Sequence, residues 1–74
     1  MISINQVINE ALKKKTGEIF EIKDLFNGFD WKRETSKHRQ ELGRDFADYV
    51  RNRGSKDFKL IRRKTDNHKV YERL

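Results

Sequence analysis

Lys37, Gln40, Arg44 and Arg51 recur at spacings that place them on one side of a helix, flanked by Glu41 and Asp48. A second basic group, Arg62, Arg63, Lys64, His68 and Lys69, crowds a short stretch nearer the end of the chain. Side chains of this kind, gathered in two places, can grip a polyanion by charge and hydrogen bonding together. The clustering is not an effect of overall composition. Residues 1–36 carry six basic and six acidic side chains, whereas residues 37–74 carry twelve basic and six acidic, which supplies the whole formal charge of +6. A solvated charged face is the bland alternative, and the placement of both basic groups in one half of the chain argues against it.

Other chemistries find little support. Glu21-Ile22-Lys23 matches the Glu-x-Lys half of a nuclease metal motif, but a two-residue pattern recurs by composition in a chain rich in both residues. His38 and His68 lack the paired spacing of metal ligands on a helix, and neither a glycine-rich phosphate loop nor a nucleophile and base pair is present. The expectation is a protein that is not an enzyme and that takes no cofactor and no metal. With no cysteine, neither a disulfide framework nor a cysteine-ligated zinc site supplements the core. No apolar run approaches the length of a membrane span and the first residues lack the layout of a signal peptide, so a cytoplasmic protein with no membrane partner is expected.

The elements that must position these residues follow from periodicity. Seventy-four residues make a single domain, 1–74, with no repeat, low-complexity tract or linker. Ser3 and Gln6 have capping-box spacing, and Ile4, Val7, Ile8, Ala11 and Leu12 form one helical stripe. Lys13, Lys14 and Lys15 then complement the helix dipole, and Gly17 offers a stop. Residues 18–22 read as a short strand, and residues 23–26 as one or two helical turns that end at Asn27-Gly28. Residues 28–35 read as a polar connection from which Phe29 and Trp31 plug the core, an exposed aromatic contact to a base being the alternative.

A long helix is expected from Ser36 to Arg53, with Leu42, Phe46, Tyr49 and Val50 as its buried stripe. Arg39 falls nearer that stripe and reads as structural, its stem packed near Trp31 or Phe46. Gly43 inside the helix suggests close approach by another backbone, with simple tolerance of the glycine as the alternative. Residues 58–74 read as a hairpin turning at Thr65-Asp66-Asn67-His68, its base pinned by Phe58, Leu60, Val70 and Tyr71.

The order helix, short strand, short helix, long helix, C-terminal hairpin resembles the winged-helix variant of helix-turn-helix proteins, an α+β fold. Phe20-Glu21-Ile22-Lys23-Asp24-Leu25-Phe26, Trp31 and the stretch Arg39-Gln40-Glu41-Leu42-Gly43-Arg44-Asp45-Phe46 are also similar to a small uncharacterised domain family of Gram-positive bacteria, their phages and mobile elements. The winged-helix resemblance implies that the third helix enters the DNA major groove while the hairpin touches backbone or minor groove. Lys37, Gln40, Glu41, Arg44 and Arg51 would then face base edges or flanking phosphates. Gln40 suits adenine and Arg44 suits guanine in bidentate geometry. Arg62, Arg63, Lys64 and Lys69 would be phosphate contacts, which position without reading sequence. The 28–35 connection departs from the tight turn such proteins use.

Double-stranded DNA is therefore the expected partner of a small basic protein, a regulator of transcription or of a mobile element. An acidic protein surface is the second partner the charge would suit, with the chain acting as an inhibitor or adaptor. The chain is expected to be a monomer or homodimer. The DNA reading makes one geometric demand: the basic face of the long helix and the hairpin must point the same way.

Overall fold

A computed structural model describes residues 1–65 and 68–74. Helix α1 (Ile4–Leu12) starts at a full capping box: the Ser3 side chain accepts from the Gln6 backbone N–H, and the Gln6 side chain accepts from that of Ser3. It buries Val7 and Ala11 completely, while Leu12, at the end of the expected stripe, stays largely exposed. The lysines that follow make local ion pairs, Lys13 with Glu10 at 2.7 Å and Lys14 with Glu18 at 4.0 Å. Gly17 serves the entry to the sheet rather than the helix end. Its φ of +91° turns the chain, and its N–H donates to the Arg73 carbonyl at 2.7 Å.

Strand β1 is only Ile19–Phe20, shorter than the 18–22 stretch suggests. The reason is local. The Glu21 N–H is taken by the Asp24 carboxylate at 2.9 Å, which ends the ladder and opens a 3-10 helix over Ile22–Leu25. The segment expected to be a polar connection is itself helical. Asn27 caps α2 (Gly28–Arg33) by accepting from the Asp30 N–H at 2.8 Å, and Thr35 caps α3 (Ser36–Asn52) by accepting from the His38 N–H at 3.1 Å. Only Glu34 and Thr35 separate the two helices, so the tight turn is present. Trp31 is half-buried and stacks on Phe26 with ring centroids 6.2 Å apart, whereas Phe29 is 74% exposed beneath the Arg33 guanidinium and does not plug the core.

Strands β2 (Phe58–Arg63) and β3 (Lys69–Arg73) form the antiparallel hairpin. The turn expected at its tip includes Asp66 and Asn67, which lie outside the described residues. The sheet order is β1-β3-β2, which puts β3 in the middle. That order decides burial. Val70 and Tyr71 on the central strand are buried, while β2 is buried only at Phe58 and has an irregularity between Leu60 and Arg62. Leu60, expected to pin the hairpin, is 43% exposed for this reason. The core is an aromatic cluster centred on Phe46, whose ring meets those of Phe20, Tyr49, Phe58 and Tyr71 at centroid distances of 4.9 to 6.4 Å. Each such buried ring contributes ~1.5–3 kcal/mol, which a domain this small needs.

Candidate nucleic-acid interface

On α3, Ser36, Arg39, Gln40, Gly43 and Arg44 follow an i, i+3, i+4, i+7, i+8 pattern and form one stripe. That stripe makes one wall of an open cleft of about 510 Å³. His68, Lys69 and Tyr71 of the hairpin make the facing wall, and Glu21, Ile22, Lys23 and Trp31 close the third side. Helix and hairpin therefore share a surface. Gly43 matters to its shape. A Cβ there would meet nothing within 4 Å, so the close backbone approach expected at this position is absent and the glycine borders open space instead.

Of the residues singled out from sequence, Gln40, Arg44 and Lys69 meet in the cleft. Lys64 sits at its margin, with Nζ 3.1 Å from Glu21 Oε2. The His68 ring is 3.3 Å from the other oxygen of the same carboxylate. Glu21 is thus held between two groups of the hairpin and ties it to the body of the domain. The other predicted contacts lie elsewhere. Lys37 and Arg51 are exposed on α3 outside the cleft, with Arg51 4.0 Å from Asp48. Arg62 and Arg63 are exposed on β2. Glu41 is half-buried and lies 3.9 Å from His38.

His38 belongs to a different task. Its Nε2 is 2.6 Å from the Ile2 carbonyl, and the Ile2 N–H donates to Glu34 Oε1 at 2.6 Å, so the two side chains hold Ile2 in the core. Among the described residues, no group of three or more histidine, aspartate or glutamate side chains is placed to hold a metal ion, and no helix is long and apolar enough to cross a membrane.

Four cleft residues were not legible as site residues. Arg39 read as structural because a helical wheel places it beside the apolar stripe; the structure puts it half-buried on the cleft wall, its guanidinium 3.3 Å from Ser36 Oγ. Lys23 and Trp31 are far from the basic groups in sequence and enter only through the fold. Tyr71 is 1% exposed and reads as core, yet it lines the cleft, and its hydroxyl has no hydrogen-bond partner among the described residues. Burial pushes its pKa up to about 12, with the Arg63 charge pulling in the opposite direction. The hydroxyl therefore keeps its proton at neutral pH. Lys23, Arg39, Arg44 and Lys69 bring four positive charges to the cleft against the single carboxylate of Glu21, which is already engaged by the hairpin.

Helices and sheet in this order, with a basic cleft between the long helix and the hairpin, define a small winged-helix-like α+β domain. Within that class the chain belongs to the DUF1413 family, a domain of unknown function, whose profile matches residues 5–73. Among solved structures it is similar to one described as an SCCmec type IV LP1413 nucleic acids binding protein. The TM-score is 0.73 at 20% sequence identity, over 96% of this chain and 81% of that one. The likeness at this identity is one of fold. No curated protein matches the sequence.

Proposed function

We propose that this domain is a non-enzymatic nucleic-acid-binding module that docks on duplex DNA with α3 and the hairpin together, as a small regulator would. The observation that carries the reading is the shared cleft: Arg39, Gln40 and Arg44 from α3 face Lys69 from β3 across one surface. The two-residue link between α2 and α3 supports it, because a short link between the helices is what a helix-turn-helix module uses. So does the described role of the similar structure. In this reading Gln40 and Arg44 offer the paired donors and acceptors that suit adenine and guanine edges, and Lys69 and Lys64 supply the charge for phosphate contacts.

Fluorescence anisotropy with a random duplex and its matched single strand tests the reading across a salt series. Binding to the duplex that weakens steeply with salt is the expected result. Tighter binding to the single strand would replace the duplex while keeping the nucleic-acid reading. No salt-sensitive binding to either, combined with one stoichiometric protein partner after nuclease treatment, would favour an adaptor or inhibitor instead.

A further inference from the structure

Strand β2 has a strand neighbour on one side only, because the sheet order β1-β3-β2 leaves it at an edge. Among the described residues, no backbone hydrogen bond outside the β2–β3 ladder involves residues 59–63. The outward N–H and C=O groups along this run are therefore open to another chain. Its side chains are of two kinds. Lys59, Arg62 and Arg63 are exposed cations, and among the described residues none of them makes an ion pair. In register Lys59 stands opposite Glu72, and Arg63 opposite Lys69. Between the cations lie Leu60 and Ile61, adjacent aliphatic side chains that are 43% and 40% exposed. Charge on an edge strand guards against self-association, and that accounts for the cations. It does not account for two exposed aliphatics in the middle of the same strand, which weaken the guard.

We propose that the β2 edge is a docking site for an acidic, extended segment of a partner protein, added as a further strand beside residues 59–63. Strand addition satisfies the open backbone groups, while carboxylates of the segment face the three cations and its apolar side chains cover Leu60 and Ile61. Charge decides between the occupants. A second copy of β2 sets Lys59, Arg62 and Arg63 against one another, and like charges across a strand pair oppose pairing. A nucleic-acid backbone matches the cations but brings no amide groups for the ladder and no aliphatic face for Leu60 and Ile61. The register shift between Leu60 and Arg62 interrupts the regular edge, so the segment is short. None of residues 59–63 lines the cleft. The docking site is therefore independent of the nucleic-acid reading, and it gives Arg62 and Arg63 a task outside the cleft.

The test titrates the full chain with a peptide of alternating glutamate and valine, reading amide chemical shifts of the protein and anisotropy of the labelled peptide. A glutamate–proline peptide of the same length keeps the charge but is barred from a strand ladder. The first peptide is expected to shift the amides of residues 59–63, and the second to leave them in place. Ile61→Lys adds a positive charge, so charge alone would tighten binding of the acidic peptide. The expected result is binding about fivefold weaker, the size of one lost cross-strand pair, at unchanged thermal stability. Undiminished binding of the proline peptide, or undiminished affinity in Ile61→Lys, reduces the contact to charge and overturns the site, as does the absence of shifts. A short duplex that shifts the same amides and displaces the peptide also overturns it and adds this edge to the nucleic-acid interface. A duplex that binds alongside the peptide supports both readings, and peptide binding in a chain that takes no nucleic acid supports the docking site alone. If Ile61→Lys does not fold, the two peptides on the wild-type chain decide.

Discussion

Gly54 and Gly43 show how differently one residue type is used in this chain. A Cβ at Gly54 would overlap the Tyr49 ring, which packs against Phe46 and Phe58 with centroids 6.0 and 6.3 Å apart and so has little room to give. Gly43 lies in a helix interior with open space beside it. Gly54→Ala is therefore expected to destabilise the domain by ~1–3 kcal/mol, and Gly43→Ala to stabilise it by ~1 kcal/mol, both read from urea midpoints. Tyr71 adds a pH dependence at the same scale. Its pKa is about 12 in the folded state and ordinary, near 10, in the unfolded one. Between these values the unfolded chain has lost the proton and the folded chain keeps it, so stability is intact below pH about 10 and falls as pH rises toward about 12. Tyr71→Phe should flatten that decline in urea midpoints measured across the window.

At the scale of elements, the Glu21 carboxylate helps to fasten the hairpin to the rest of the domain. Glu21 ends β1, its N–H caps the 3-10 helix with Asp24, and its side chain holds Lys64 and lies beside His68. The register of β2 and β3 shifts between Leu60 and Arg62, and this ion-pair cluster fastens the far end of the hairpin, where Lys69 shares the cleft with Arg44. Glu21→Gln makes the protein more positive, so charge alone would strengthen binding to a polyanion. The opposite is expected: loss of ~1 kcal/mol of local stability, faster amide exchange at Lys64 and Lys69, and weaker duplex binding. Hydrogen exchange and anisotropy on the same variant separate positioning from charge. The capping residues Ser3, Asn27 and Thr35 act earlier, by fixing where each helix begins and so which side chains share a face.

For the whole molecule, the proposed interface makes its strongest prediction in salt. Arg44→Gln should weaken duplex binding and reduce the slope of log affinity against log salt by about 1, as the loss of one phosphate or base-edge cation requires. Arg51→Gln, outside the cleft, should change the slope less. How much of this was legible in the sequence differs by element. Helical periodicity was enough for α1 and α3, because an amphipathic stripe is a local property: Val7, Ala11, Leu42, Phe46 and Val50 are buried where the spacing puts them. Composition was enough for the asymmetry of charge. Helix α2 was missed because one short side-chain cap, at Asn27, outweighs the weak propensity of a six-residue segment containing glycine. Leu60 was misassigned because burial on a strand depends on its place in the sheet, and only the order β1-β3-β2 makes β3 central. Arg39, Lys23, Trp31 and the Tyr71 hydroxyl joined the cleft through pairings of distant segments that no local pattern encodes. The sequence alone determined which half of the chain is basic, a matter of composition, and that Gln40 and Arg44 share a helix face, a matter of spacing along one helix. Only the tertiary structure decided that Arg44, Lys69 and Tyr71 line one cleft, because that depends on the hairpin being folded back on β1 and α3.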